Sequence, residues 1–425
     1  MKSALPKAMH PIAGRPMLRH LIESCAGVFD RIVVVVGPGM EGLRAVAAPH
    51  DVVVQEERLG TAHAALQAVP LFGDGDVAVL YADNPLVSGE TLRRLLAARA
   101  GVGLAMLAMR PGEPGRYGRV IAAGGAVQRI VEWADATEAE RAVPLCNAGV
   151  FCASATDLAR WLRGVAPSAA VGEYYLTDCV AACVGEGGLV VAVEAAEAEL
   201  RGINSRVELA EAEAVVQGAL RRAAMEGGAT LVAPETVFLS VDTVLEPDVV
   251  VEPHVVFGPG VHVESGVVVR AFSHLVGCRV HQNALIGPYA RLRPGTEIGV
   301  GAHVGNFVEL KATRLGNHAK VNHLSYLGDS FVGEKTNIGA GTVTCNYDGY
   351  AKHRSVIGAN VFVGTHATLV APVSLGDGAF VAAGSVITRD VAADAMAFGR
   401  AGQVDKPGRA AAFRASKRAT VKDGK

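Results

Sequence analysis

The chain is short of aromatic residues: 5% of its 425 positions are Phe, Trp or Tyr, against 50% apolar overall. A core built on large rings is excluded, and Gly, Ala and Val must fill the interior by close packing of small side chains. Charge of one sign is missing too. The formal net charge is −2, which implies no general attraction to nucleic acid or to a membrane surface. No apolar run is long enough to span a bilayer and no leader-like segment is evident, so a cytoplasmic protein is expected. The seven cysteines, at 25, 146, 152, 179, 183, 278 and 345, are odd in number and contain no C-x-x-C pair. Reduced thiols fit better than a disulfide framework. Cys179 and Cys183 share a helix face by spacing, but no other ligand pair accompanies them, so packing is the expected role.

What is present falls into two textures. Through about residue 205, apolar runs alternate with helical patterns. Arg31–Val36 and Val77–Tyr81 read as buried parallel strands, and Thr61–Val69 and Glu90–Ala98 as helices, the βα alternation of a Rossmann-like sheet. Ligands of such sheets bind beyond the C-terminal strand ends. The loop Ala82-Asp83-Asn84-Pro85 is therefore a place to look for chemistry. Residues 206–228, rich in Ala, Glu and Arg, predict a long helical linker.

From about 229 to 400 a period of six takes over. Aliphatic residues and one Phe recur at Val251, Phe257, Val263, Val269 and Leu275, then at Ile286, Leu292, Ile298, Val304 and Leu310. They continue at Leu315, Val321 and Leu327, at Val332, Ile338 and Thr344, and from Ile357 to Ile387. Six fits neither the 3.6 of a helix nor the 2 of a strand. It is the hexapeptide repeat of a parallel β-helix, in which three hexads close one triangular coil. The phase slips predict loops. The longest, Cys345–Val356, is too polar to continue the wall and is expected to leave the prism for a ligand or neighbour. The tail, 401–425, carries Arg414, Lys417, Arg418, Lys422 and Lys425. It reads as a solvated, poorly ordered terminus, or else as a segment that touches phosphates.

Acyl transfer to an amine needs a base for the ammonium proton, donors for the oxyanion and, where the acceptor is phosphorylated, cations. His323, in His323-Leu-Ser-Tyr326, offers an imidazole for the first of these. Taken alone it could equally be a structural histidine.

The motifs resolve that choice by resemblance. LPKAMHPIAGRPM, QEERLGTAHA, YADNPL, YGRV, IVEWADA, NAGVF and GEYYLTD in the first half resemble the bacterial bifunctional UDP-N-acetylglucosamine pyrophosphorylase/glucosamine-1-phosphate N-acetyltransferase family. So do IGPYARLRPG, GAHVGNFVELK, HLSYLGD, NIGAGTVTCNYDGYAKH, FVGTHATLVAPV and AAGSVITRDV in the second. The resemblance covers almost the whole chain. It implies a nucleotidyltransferase domain followed by a left-handed β-helix, acting on glucosamine 1-phosphate, acetyl-coenzyme A and UTP, with Mg²⁺ as cofactor and a homotrimer as assembly.

By the same resemblance, His323 is the general base, with Glu309 a candidate to orient it. Arg293 and Lys311 bind the sugar phosphate, and Tyr326 and Asn337 the sugar. Ala340, Asn346, Tyr347, Thr365, Ala383 and Arg400 contact acetyl-coenzyme A; Thr365 stands where the family often has Ser, which keeps the hydroxyl. In the first half, Asp83 and Asn204 hold Mg²⁺, and Lys7 binds phosphate. Gln55, Gly60 and Thr61 match the uracil-recognition stretch. Tyr81 and Ala82 line the nucleotide, and Gly118, Glu132 and Asn147 match the sugar contacts.

Three departures stand out. Ala82 replaces a glycine, and its methyl is expected to crowd the nucleotide. Trp133 and Ala134 replace a polar pair. The family opens with a strand and the loop L-x-x-G-x-G-T-x-M, and this chain starts at what matches the final Met. Either the natural start lies upstream, or the uridylyl half is crippled and the chain is an acetyltransferase only. Two rivals from other classes remain. One is a β-helix zinc enzyme of carbonic-anhydrase type using His303, His318 and His323. The other is a scaffold without chemistry.

Overall fold

The computed structural model describes the backbone of residues 1–168 and 172–422, with side chains to residue 418. Two compact units emerge: Met1–Arg222 with Leu239–Val241, and Ala223–Phe238 with Asp242–Lys425.

The first unit is built around Leu104–Met109, every residue of which is buried. That strand pairs parallel with Val190–Glu194 and antiparallel with Cys146–Ser154. Helices Gly89–Arg99 and Ala155–Gly164 turn Leu92, Leu95, Leu158 and Leu162 into its two apolar clusters. Ser88 caps the first of these helices by accepting from the Thr91 amide at 3.2 Å, which satisfies an otherwise orphaned N–H. The expected strand near Arg31–Val36 is Val33–Val36, parallel to Asp51–Val54. The expected parallel strand at Val77–Tyr81 is Asp76–Val79, and it pairs antiparallel with Cys146–Ser154. The run is half-buried, not buried as expected, and an apolar run carries no information on strand direction. Val33–Val36 and Asp76–Val79 do not bond to each other; an apolar cleft lined by Ile32, Ala65, Val77 and Leu96 lies there. The predicted long helix is Arg206–Glu226, with Ala212 and Gln217 buried.

In the second unit short parallel strands stack into three walls of ten, eight and eight strands. We call them A, B and C in the order the chain visits them: Lys320–His323 lies in A, Tyr326–Gly328 in B and Ser330–Val332 in C. The hexad residues point inward: Val251, Val263, Ile286, Leu310 and Leu327 are fully buried. Several buried hydroxyls bond to strand-end carbonyls, as Thr313 Oγ1 does to Lys311 and Leu327 at 3.0 Å each, whereas Ser355 Oγ is buried without a partner among the described residues.

Three of the four expected loops are not loops. Leu310 to Leu315 and Leu327 to Val332 are five-residue steps at the corner between walls B and C, where Ala312 and Asp329 adopt positive φ and shorten the turn. Leu275 to Val280 is the same short step. One residue fewer at a corner shifts the phase without opening the wall. Only the fourth slip is an excursion: Asn337 pairs with Phe362 across a coil that carries the predicted loop. The tail is exposed, as a solvated segment would be, but not without regular structure. Arg409–Lys422 is helical, and Arg414, Lys417 and Arg418 lie exposed on it. Lys425 and the Lys422 side chain lie outside the described residues.

Candidate functional sites

On wall B the register places Arg291, Glu309 and Tyr326 in one outward column, with Arg293, Lys311 and Gly328 in the next. Arg293 Nη1 donates to Glu309 Oε1 at 2.9 Å, and Arg291 lies 3.5 Å from the other oxygen. Lys311 Nζ donates to both oxygens of Asp329, at 2.8 and 3.0 Å. Asp329 has φ +50°, a left-handed conformation that Asp tolerates better than most residues, and it occupies the corner one coil above Lys311. The loop leaves the wall one coil higher at the same corner, which brings Asn346 Nδ2 to 2.5 Å from Asp329 Oδ2. The sites expected on the acceptor phosphate and Asn346 thus meet at one corner.

The electrostatics follow from these bonds. Burial raises the Asp329 carboxyl, but its bonds from Lys311 and Asn346 outweigh burial and hold it below the usual carboxylate range. The bond to Asp329 lifts the Lys311 ammonium, while the Lys311 charge depresses Lys352. A carboxyl depressed in the fold adds stability that is full above its ordinary value and is lost as pH falls through the depressed one. Asp329→Asn should therefore lower the urea midpoint at pH 7, and the gap to wild type should close on acidification. A gap unchanged down to pH 2 would contradict the pairing.

Gly328 is required by close approach. A Cβ there would lie 2.5 Å from Tyr326 Oη and 2.6 Å from Asn346 Nδ2. Gly328→Ala should displace both groups while the inward Leu327 still packs. Acetyl-transfer kcat/KM is expected to fall about tenfold or more, the scale of one displaced hydrogen-bonding group; an unchanged kcat/KM with intact thermal unfolding would show that neither group touches substrate.

His323 ends its strand at the corner between walls A and B. Its Nδ1 lies 2.6 Å from Asn306 Oδ1, and the two residues are register partners on adjacent coils. Glu309 does not orient His323: its carboxylate is taken by Arg293 and Arg291 on wall B. Asn306 is the residue missed by the sequence reading. The available signal was its place one coil, seventeen residues, before His323. Since the amide oxygen accepts, the imidazole proton sits on Nδ1 and the Nε2 lone pair is free.

Above His323 the same corner stacks residues expected on acetyl-coenzyme A. Gly341 donates to the His323 carbonyl, His366 to the Ala340 carbonyl at 2.7 Å, and Gly384 to the Thr365 carbonyl at 2.8 Å. Thr365, Ala383 and Arg400 are exposed. Tyr347 lies on the loop, itself pinned by Asp348, which accepts from the Tyr350 and Ala351 amides and from His353. Asn337 is not beside Tyr326 in the chain. It faces outward from wall A, between Lys320 and Phe362. The zinc rival finds no support: among the described residues no three His, Cys, Asp or Glu side chains are grouped to hold a metal.

In the first unit Asp83, Asn204 and Lys7 converge. Lys7 Nζ donates to Asp83 Oδ2 at 2.6 Å and to Asn204 Oδ1 at 2.7 Å. Asn204 is placed by the capping box of Arg206–Glu226, in which Glu208 accepts from the Asn204 and Ser205 amides and Ser205 Oγ accepts from Glu208 N. A cavity of about 280 Å³ opens beside Asp83 and Asn204, lined by Thr61, Tyr81, Glu132 and Asn147 among others. Gly118 belongs to the same lining and accepts from the Asn147 amide. Burial pushes the Tyr81 phenol up to about 12 and raises the Glu132 carboxyl. Gly60, at φ +113°, lets the chain pass within reach of the Tyr174 backbone, where a Cβ would clash. Gln55 donates to the Gly60 carbonyl at 3.1 Å. The Ala82 methyl packs with the apolar cluster of Leu18, Ile22, Val34 and Val36. Trp133 has the guanidinium carbons of Arg119 and Arg141 5.0 and 4.7 Å from its ring centre.

A mixed-sheet unit with an acid–amide–lysine cluster beside a cavity, followed by a hexapeptide prism with a held imidazole, defines a transferase with two active centres. Residues 1–149 match the MobA-like NTP transferase domain, and 354–389 match the bacterial transferase hexapeptide repeats, which makes the prism a left-handed β-helix. The chain belongs to the GlmU family. It is 67% identical to the bifunctional protein GlmU of Gluconacetobacter diazotrophicus over all of this chain and 93% of that one. It is 60% identical to that of Acidiphilium cryptum (98% and 96% covered) and 62% identical to that of Granulibacter bethesdensis (99% and 95%). It is a bifunctional enzyme, an acetyltransferase and a uridylyltransferase on small-molecule substrates.

Proposed function

We propose that the prism transfers an acetyl group from acetyl-coenzyme A to the amine of glucosamine 1-phosphate. His323 Nε2 takes the ammonium proton and the freed lone pair attacks the thioester carbon; as the tetrahedral adduct collapses the C–S bond breaks, and the second proton lost by the nitrogen goes to the sulfur, so that coenzyme A leaves as thiol. The observation that carries this reading is the His323–Asn306 bond, which leaves Nε2 as an acceptor at the foot of the Ala340–Thr365–Ala383 column. Arg293 and Lys311 receive the sugar phosphate, exchanging part of their carboxylate pairing for it. Tyr326, Asn346 and Tyr347 border the same face. Asn337 and Arg400 fit a site completed by a neighbouring copy, so the assembly we propose is a homotrimer. An exposed ladder of His254, Phe272, Tyr289 and Phe307, stacked at about 5 Å, supports association at the His323 corner.

The product's phosphate oxygen then attacks the α-phosphorus of UTP in the first unit and pyrophosphate leaves. Asp83 and Asn204 would hold Mg²⁺. One carboxylate with one amide oxygen suits a hard cation that takes its other ligands from water and phosphate, and the Lys7 ammonium already bridges the same two oxygens. Bound there, Mg²⁺ would neutralise phosphate charge. Lys7 would turn to phosphate, with Gln55, Gly60 and Thr61 on the uracil and Gly118, Glu132 and Asn147 on the sugar. We place the enzyme in the cytoplasm. Six of its cysteines are buried and free, and among the described residues no helix is long and apolar enough to cross a membrane.

The direct test supplies purified protein with acetyl-coenzyme A and glucosamine 1-phosphate and follows thiol release, then adds UTP and Mg²⁺ and follows pyrophosphate. Thiol release that ignores the amino sugar would refute the first assignment. Absence of pyrophosphate would refute the second alone.

A further inference from the structure

Arg116 is a surface arginine with no ion pair or hydrogen bond to any described residue, and it lines the cavity beside Asp83. Among the described residues it is the only cationic side chain in that lining; the charged others are the carboxylates Asp83 and Glu132. Lys7, which is not part of that lining, is engaged with Asp83 and Asn204 and is assigned above to the nucleotide's phosphates. Arg201, in the adjoining cavity that Arg116 also borders, is paired with Glu211 at 2.7 Å. A cavity that admits a sugar phosphate needs a free cation to offset the phosphoryl charge, and the carboxylates around it make that need greater.

The loop carrying Arg116 is held from beneath by an unusual device. Arg119 is 2% exposed, yet none of its hydrogen bonds goes to a carboxylate. Its guanidinium donates to the carbonyls of Arg141 and Gly115 at 3.1 Å each, to that of Pro114 at 3.4 Å and to that of Tyr117. Three of those acceptors flank Arg116. A buried guanidinium that spends its fork on backbone carbonyls fixes the loop's path, so Arg116 is presented from a rigid turn.

We infer that Arg116 binds the phosphoryl group of the sugar 1-phosphate in uridylyl transfer, with Arg119 as the positioning residue behind it. The inference rests on the proposed uridylyl reading of this cavity. Gly118, two residues on, and Asn147, bonded to it, line the same cavity and are the residues assigned above to the sugar.

The test compares wild type, Arg116→Ala and Arg116→Lys in the full-length enzyme. For Arg116→Ala the KM for N-acetylglucosamine 1-phosphate should rise by about ten- to a hundredfold, the scale of a charge-assisted hydrogen bond. The KM for UTP and the acetyl-transfer rate should stay put, and Arg116→Lys should recover part of the loss. An unchanged sugar-phosphate KM, or an equal rise in the UTP KM, would overturn the assignment. Titration of UDP-N-acetylglucosamine into the same proteins separates the two layers. Wild-type protein that fails to bind it overturns the reading of the cavity itself; wild-type binding that Arg116→Ala leaves unaltered overturns the role of Arg116 alone.

Discussion

His323→Ala should lower acetyl transfer by about 10²–10⁴-fold, the usual contribution of a positioned general base, and leave uridylyl transfer at the wild-type rate. The side chain is exposed at the end of its strand, and its side-chain hydrogen bond, to Asn306, lies outside the prism core. Thermal unfolding should therefore barely move. Asn306→Ala is the companion variant. It removes the acceptor that keeps the proton on Nδ1, so the ring loses its fixed tautomer and orientation but is still present to take a proton. A smaller loss in kcat, with the KM for acetyl-coenzyme A unchanged, is expected. Coupled thiol-release kinetics on both variants and the double variant decide the matter. If His323→Ala acetylates at the wild-type rate, the imidazole has no part in the chemistry. If Asn306→Ala costs as much as His323→Ala, the amide is acting on substrate directly.

The second large effect concerns the other unit. Asp83→Ala should reduce uridylyl transfer by about 10²-fold or more, the consequence of losing the only carboxylate in the Asp83–Asn204–Lys7 cluster that can neutralise a divalent cation. Acetyl transfer should be untouched. The loss should not be recovered by excess Mg²⁺, since the variant lacks the anionic ligand. The cluster is held independently of this side chain: Asn204 by the Glu208 cap, and the Asp83 backbone by its carbonyl accepting from Ile203 at 2.9 Å. Pyrophosphate release from UTP and N-acetylglucosamine 1-phosphate is the measurement. An Asp83→Ala enzyme at wild-type rate would remove the cation from this position and leave Lys7 as the residue to examine.

How much of this was legible before the fold was known depends on the range of the interaction. The hexad rhythm needed only the spacing of aliphatic residues, because a residue that faces the prism axis must recur whenever the chain completes one side of the triangle. Helices Gly89–Arg99 and Arg206–Glu226 were legible for the same local reason, as was the excursion after Cys345. The direction of Asp76–Val79 was not. A short apolar run looks the same parallel or antiparallel, and its partner, Cys146–Ser154, lies some seventy residues away. The short steps at Lys311–Arg314 and Gly328–Phe331 cannot be told from loops in the sequence, since a missing residue and an inserted loop break a periodicity alike.

Side-chain partnership was the least legible layer. His323, Lys311 and Asp83 could be singled out by residue type and motif, because base, cation and metal ligand are chemical identities carried by the residue itself. Which group would hold each of them was another matter. Glu309 is nearer to His323 in sequence than Asn306 is, and a carboxylate is the commoner orienter, yet the register between coils gives Asn306 to His323 and Glu309 to the arginines. Asp329, Arg119 and Glu208 had no local signature of their roles either. The chain's own order of residues thus determined the prism, the division of textures and the reactive side chains, each set by spacing or by chemistry within a few residues. The tertiary structure alone decided strand direction, corner geometry and the pairing of charges, because those depend on which distant backbone comes within about 3 Å, the reach of a hydrogen bond.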